Sequence, residues 1–472
     1  MNSSFPPALL EILTKTPELK GAFLVGGCVR DWLLGIPNND FDIEVFDCSY
    51  EQLSRGLARW GRVDLVGRSF GVVKLSIPGH TFDFSLPRRD SKIGSGHKGF
   101  EIQFDQSLTP KEAAARRDFT LNSMMYDPRE DRILDFFNGQ SDLNAKILRH
   151  TSGAFPEDPL RVLRGMQFAG RFSLTAAPET IALSREIKGA QGELAKERIR
   201  EEWFKWAEKS VTPSLGIHFL NQTEWIEYYP ELAAIRGVPQ DAQWHPEGDV
   251  FVHTLHVCDA LVRLPEWQRA EASEQIVLML AILCHDFGKA VSTSEQVKEG
   301  RTRIVSPGHE HAGVPLAEGF LERIDAPVAV RERVIPLVYN HMAHFEAVSD
   351  RAIRRLAKRL EPESIQSLVT VMTADAYGRP PRPAVVPETV IAIAEKAREL
   401  AVHEEPPEAI LMGRHLIERG YLPGPGLGII LKAAYEAQLA GDFHDLETAL
   451  EWVRANEGEL LREGNSGLEK SE

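Results

Sequence analysis

The stretch GIPNNDFDIEVF, Gly35 to Phe46, decides how the N-terminal part of the chain reads. Ile36-Pro37-Asn38-Asn39 has the composition of a turn, and Phe41, Ile43, Val45 and Phe46 form the apolar pattern of a buried strand. Asp40 and Asp42 stand at the mouth of that strand with one residue between them. Alternate side chains of a strand face the same way, so the two carboxylates share a face. Like charges at that range repel. The pair is tolerable where a proton is shared or a cation lies between them. Taken alone, it also fits a plain surface turn.

Working outward, FLVGGCVRDWLLG immediately precedes this stretch. A strand ends at Gly26-Gly27 and a helix begins at once. Paired glycines let the backbone approach a ligand, and a helix N-terminus offers free N–H groups to phosphate. Arg30, in the first turn, adds a charge-assisted contact. TFDFSLPRRD supplies a third acid, Asp83, on another expected strand. Three carboxylates from adjacent strands could hold two Mg²⁺ ions, which would activate an attacking hydroxyl and neutralise a leaving pyrophosphate. In ARRDFTLNSMMYD a helical pattern carries Arg116, Arg117, Asp118 and Asn122. Asp118 and Asn122 stand at i and i+4 and would share a face suited to a ribose. The plain alternative is a solvated helix N-terminus. EDPLRVLRGMQF gathers Glu157, Asp158 and Arg161 within a turn, with Arg164 three residues on. An acid and an arginine on one face present acceptors and donors to a base edge; the plain alternative is a local ion pair.

The chain has 472 residues, is 43% hydrophobic and 26% charged, and carries a net charge of −15. That length exceeds one core and predicts three or four domains. Phosphate contacts need a local basic face, so the acidic total does not exclude nucleic acid. The four cysteines, Cys28, Cys48, Cys258 and Cys284, form no CxxC pair, which argues against a disulfide framework or a thiolate zinc site. No secretory signal and no apolar run near membrane-spanning length is read, so the expectation is a cytoplasmic protein without a membrane. Strand-rich runs alternate with helical patterns up to residue 148; beyond it amphipathic helical patterns take over. Breaks at WHPEGDV and RPPRPAVVPE give expected domains 1–148, 149–243, 244–380 and 381–472, the last a helical segment with a frayed tail.

The order GGCVRD, DFD, VGRSFGVVKL, RRDFTLNSM, EDPLRVLR and KERIREEW resembles the class II tRNA nucleotidyltransferases, the CCA-adding enzymes and poly(A) polymerases of the polymerase-β-type superfamily. The resemblance implies an α+β nucleotidyltransferase head with a small mixed sheet, followed by an all-α neck and body. It implies Mg²⁺ on Asp40 and Asp42, with Asp83 as the third acid. Gly26, Gly27 and Arg30 would hold the triphosphate, Asp118 and Asn122 the ribose, and Asp158 and Arg161 the base of CTP or ATP, with Arg117 and Arg164 also among the nucleotide-binding residues. The substrates would be tRNA, CTP and ATP. Ser91–Ile102 looks like the flexible loop that switches such enzymes from C to A. Ser69 in VGRSF stands where poly(A) polymerases prefer a second basic residue, and Met166-Gln167 replaces a basic or small pair. The rivals are an A-adding-only enzyme and a poly(A) polymerase.

A second set of residues lies further on: His253 in FVHTLHV, His285-Asp286 in LAILCHDFGKA, His309 in SPGHEHAG, His341 in YNHMAH and Asp375 in TADAYGR. A His-Asp pair inside an apolar helix is costly unless a divalent metal compensates it. Imidazole and carboxylate suit Mn, Fe, Co, Ni or Zn. The order H…HD…H…H…D resembles the HD metal-dependent phosphohydrolases, an all-α domain. This implies His253, His285, Asp286 and Asp375 as primary ligands, with His309 and His341 for a second metal or a phosphate. His256 and His311 are the lesser alternatives to His253 and His309. Hydrolysis of phosphoesters such as 2′,3′-cyclic phosphates is the expectation, a degenerate structural domain the alternative. A rival of another class is an HD phosphohydrolase whose N-terminal region only binds RNA.

Overall fold

The computed structural model describes residues 5–67, 71–92, 100–105, 107–298, 300–343 and 348–468. The chain divides into two compact units, Met1–Tyr229 and Pro230–Glu472.

The first unit is organised by a seven-stranded mixed sheet. Its strands are β1 (Gly21–Val25), β2 (Asp42–Phe46), β3 (Arg62–Gly67), β4 (Val72–Ile77) and β5 (His80–Ser85). A separate hairpin, β6 (Arg88–Lys92) with β7 (Phe100–Phe104), follows. The large sheet is completed by β8 (Met125–Asp127) and β9 (Arg132–Leu134), in the order β3-β4-β5-β2-β1-β8-β9. The apolar strand residues fill the core: Ala22, Leu24, Ile43, Val45, Phe82 and Phe84 are all fully buried. Within this sheet, among the described residues, only β2 and β5 pair in parallel, and their register sets Asp42 directly opposite Asp83. The expected loop Ser91–Ile102 begins and ends on the β6–β7 hairpin, and residues 93–99 lie outside the described residues. Ser69 lies outside them too.

After the sheet, helix Leu160–Phe172 packs on helices Lys196–Lys209 and Pro213–Gln222 around the buried rings of Trp203, Trp206 and Phe219. Between residues 116 and 122 the structure departs from the sequence reading. Helix Pro110–Ala115 stops at a cap on Arg116, and only a short 3₁₀ turn, Thr120–Asn122, follows. Asp118 and Asn122 still meet, through the turn rather than along a continuous helix.

Among the described residues the second unit is helical apart from one hairpin, Ser294–Lys298 with Arg301–Val305, with Gly300 at positive φ before the second strand. The stretch SEQVKEGRTRIV has no period-2 apolar pattern, and only Gly300 marks the turn, so the sequence reading passed over it. Ile147–Leu148 and Thr175–Ala176 form another short pair in the first unit. The segment Ala272–Ser292 is long and apolar enough by composition to span a membrane, which corrects the reading that no such run exists. It is mostly buried among the other helices and ends on His285, Asp286 and Lys289, the place of a core helix rather than a lipid-facing one. At the C-terminus, helices Pro425–Ala440 and Leu446–Leu468 enclose Leu416, Ile430, Ala434 and Val453. The tail expected to fray is helical as far as Leu468, continuing a run rich in Ala, Glu and Leu. All four cysteines are buried free thiols.

Candidate functional sites, one in each unit

The first site lies where β2 and β5 end. Asp42 opens β2 with its side chain exposed, Asp40 precedes the strand in the turn, and Asp83 lies alongside at the register position of Asp42. Lys74 reaches Asp83 at 3.4 Å. Although Asp42 keeps exposed surface, the protein packed around the strand end strips its carboxyl of part of its water, and this and then the Asp40 charge hold it above its ordinary pKa, with Asp83 and Glu44 adding to the repulsion. This crowding of hard oxygen donors is the environment that a divalent cation relieves.

These acids border a pocket of about 620 Å³ lined by Gly26, Gly27, Arg30, Asp42, Arg117, Asp118, Asn122, Asp158, Arg161 and Arg164. The structure thus brings most of the head residues singled out in the sequence to one place; Asp40 and Asp83 adjoin Asp42 rather than lining the pocket, and Glu157 is not among its lining residues. Gly26 adopts φ +75°, and a Cβ there would lie 2.8 Å from the Arg117 guanidinium. Arg30 is buried: it bonds Asp31 at 2.8 Å and Asn122 at 2.6 Å, with its guanidinium 4.4 Å from the Phe172 ring. Asn122 donates to Asp118 at 3.0 Å, and Arg164 closes on the other Asp118 oxygen at 2.7 Å. Burial alone would raise the Asp118 pKa, but the Arg164 charge and these hydrogen bonds outweigh it and hold the carboxyl below its ordinary value.

The side chains of Asp158 and Arg161 do not pair; only the Arg161 backbone N–H donates to the Asp158 carbonyl, at 3.0 Å. Asp158 pairs with Arg198 at 2.8 Å, and Arg161 donates to the carbonyls of Ala154 and Arg116, both at 2.6 Å. Two participants escaped the sequence reading. Arg198 stands in the quoted KERIREEW run but was given no role. Glu44 hides inside DIEVF, where alternation puts it on the Asp42 face.

The second site lies inside the second unit. His253 projects from helix Val250–Leu261, His285 and Asp286 follow helix Ala272–Cys284, and His309 opens helix His309–Arg323. His341 follows helix Val328–Asn340, and Asp375 lies on helix Ile365–Tyr377. Ligand atoms of His253, His285 and Asp375 lie within 4.8 Å of one another, as do those of Asp286, His309 and His341. Asp286 touches both groups. One of its oxygens is 3.2 Å from His285 Nε2, and the other is 3.3 Å from His309 Nε2.

The rings are prepared for metal. Nδ1 of His285, His309 and His341 each contacts the carbonyl three residues earlier, on Ile282, Ser306 and Val338. His253 Nδ1 contacts the Glu247 carboxylate at 2.8 Å. With Nδ1 committed outward, every Nε2 is left facing the centre as a lone-pair donor. Among the described residues, buried Nε2 of His253 and His285 and Oδ1 of Asp375 make no hydrogen bond, and Oδ2 of Asp286 is met by the Lys289 ammonium as an ion pair. Converging buried donors of this kind fit a divalent metal. Burial and the neighbouring His285 charge push the His341 pKa down to about 3, which keeps its imidazole neutral.

Sequence reasoning missed Glu247, which His245 also contacts at 2.9 Å, and Lys289, 2.6 Å from Asp286. Hydrogen bonds from the two histidines overcome the burial of Glu247 and take its pKa to about 2. It also missed Gly288, where a Cβ would fall 1.9 Å from the His309 carbonyl; the HDFGK spacing was the available signal. His311 is exposed and bonds Glu310 and Tyr339, and His256 joins neither ligand group among the described residues. The pocket over this centre measures about 660 Å³.

An acid pair on a mixed sheet and a second centre of histidines and aspartates define a nucleotidyltransferase head joined to an HD domain. The Poly A polymerase head domain family matches residues 22–149, and the HD domain family matches residues 250–379. A multifunctional CCA protein of Mannheimia succiniciproducens is 36% identical over 370 residues, spanning 76% of this chain and 84% of that one. A second, from Xanthomonas campestris, is 34% identical over 80% of this chain and 92% of its own. The chain belongs to the multifunctional CCA protein family. Its fold resembles the Bacillus stearothermophilus CCA-adding enzyme solved in complex with CTP, with a TM-score of 0.62 at 21% identity over 96% of this chain and 100% of that one. The Thermotoga maritima CCA-adding enzyme complexed with tRNA superposes with a TM-score of 0.59 at 20% identity, over 96% of this chain and 97% of that one.

Proposed function

We propose that this protein adds C, C and A in turn to tRNA 3′ ends, taking CTP and ATP without a nucleic-acid template. The observation that carries this reading is the register of Asp42 opposite Asp83 at the edge of a pocket rich in arginine. Asp40, Asp42 and Asp83 would hold Mg²⁺, which when bound would supply Lewis-acid activation of the 3′-hydroxyl and charge neutralisation of the pyrophosphate. Gly26, Gly27, Arg30 and Arg117 seat the triphosphate. Asp118 and Asn122, already locked to each other and to Arg164 and Arg30, meet the ribose. Asp158, Arg161 and Arg164 read the base, and Asp158 and Arg161 trade their present partners for its edge. The helices after residue 149 engage the tRNA through phosphate and shape. The protein works in the cytoplasm, where its substrates are.

The second centre is proposed as a phosphohydrolase. The bridging position of Asp286 carries this reading, since one carboxylate touching two groups of imidazole and carboxylate suits a pair of transition-metal ions. His253, His285 and Asp375 form one ligand group and Asp286, His309 and His341 the other, with the Lys289 ammonium on Asp286 available to a substrate phosphate.

The test is nucleotide addition with Mg²⁺ to two tRNA transcripts, one ending at the discriminator base and one at CC. Two C and one A on the first establish the proposal. Addition of A to the second alone means an A-adding enzyme. Long A tails on unrelated RNA mean a poly(A) polymerase. No addition to either leaves only the HD centre as an enzyme.

A further inference from the structure

Glu44 occupies the third position of β2, an acid among Ile43, Val45 and Phe46, and is fully buried. A carboxylate at the middle of a central strand costs desolvation that a well-packed apolar residue would avoid, and buried ion pairs are weak sources of stability. Its surroundings give it another use. One oxygen accepts from Arg116 at 2.9 Å and the other from Arg117 at 3.2 Å. Both arginines line the nucleotide pocket. Arg117 is thereby held by one nitrogen on Glu44, while the other lies where a side chain on Gly26 would stand.

We infer that Glu44 is a positioning residue for the triphosphate: it fixes the Arg117 guanidinium against Gly26 before the nucleotide arrives. This rests on the reading that CTP and ATP are substrates. Preorganisation of this kind removes the ordering cost of a long side chain from the binding step. Glu44 follows Asp42 on the same strand face and its charge is felt there, but both of its oxygens are taken by Arg116 and Arg117, so its direct contacts are with the arginines of the pocket.

Steady-state addition of the first C to a tRNA transcript tests this with Glu44→Gln, which keeps the shape and removes the charge. The KM for CTP is expected to rise about tenfold, with kcat changing less than about twofold and the KM for tRNA unmoved. Arg117→Ala is expected to raise the same KM, and the double variant to be no worse than Arg117→Ala alone, since the two residues act as a unit. Glu44→Asp, which withdraws the carboxylate by one methylene but keeps the charge, should fall between wild type and Glu44→Gln and replaces it if Glu44→Gln does not fold. An unchanged KM, a fall in kcat alone, or multiplying effects in the double variant would overturn the inference. Those outcomes require a wild type that adds C. A wild type that adds none, and binds no tripolyphosphate by calorimetry with Mg²⁺, refutes the nucleotide reading itself.

Discussion

The two candidate metal centres are built on opposite principles. In the head, Asp42 is exposed at a strand end, its acid neighbours crowd it, and the cations of the site sit around the rim on Arg117 and Arg164. In the HD domain, His253, His285, Asp286 and His341 are buried, and each ring is fixed by an outer partner on Nδ1. An open acid pair binds a hard ion weakly and acquires much of its coordination from the substrate. A closed group of oriented imidazoles is preorganised to keep a resident ion. The first should therefore depend on added Mg²⁺, and the second should copurify with its metal.

The sharpest way to break this contrast is Asp42→Ala. It should lower C addition by about a thousandfold or more, as loss of charge stabilisation at a transition state does, while leaving bound metal in the HD domain untouched. Labelled CTP incorporation and metal content on one preparation check both halves. Next comes Asp118→Asn. Breaking a buried ion pair costs about 3–5 kcal/mol, and the lower end applies because Arg164 is 34% exposed. The sign in pH follows from the depressed Asp118 carboxyl. Its contribution is complete above the ordinary value of 3.8 and is lost as pH falls through the folded pKa. Denaturant midpoints taken from neutral pH to pH of about 3 should show a steeper acid loss in wild type than in Asp118→Asn.

Glu247→Gln probes the buried side of the contrast more gently. Weakening the partner that orients His253 should reduce HD-domain metal affinity about ten- to hundredfold, read by competition with a chromophoric chelator. C addition should be unaffected. The smallest effect belongs to His311→Ala: this exposed ring lies outside the ligand groups, and metal content should match wild type, whereas His309→Ala should lower it.

How much of this could be read beforehand differs between the sites as well. The DFD pair and its strand were visible because alternation over GIPNNDFDIEVF is a local pattern. The HD histidines were visible as an ordered set. What stayed hidden was non-local. Asp83 could be named but not placed opposite Asp42, because a parallel register depends on the whole sheet. Asp158 was expected beside Arg161, yet Arg198, from a helix forty residues away, takes it instead. Glu44 looked like one more strand residue until Arg116 and Arg117 arrived from a distant turn. Glu247 precedes its helix in an irregular segment where no period relates it to His253. Asp118 and Asn122 met as expected, but the reason given, a continuous helix, was wrong.

The central claim is that one chain carries two separately built metal centres, only one of which transfers nucleotides. The direct measurement is a crossed pair, Asp42→Ala and His285→Ala, each scored for C addition to a tRNA transcript and for metal retained after desalting. The account predicts that Asp42→Ala loses addition and keeps its metal, while His285→Ala keeps addition and loses its metal. Addition surviving in Asp42→Ala, or lost in a folded His285→Ala, would contradict it.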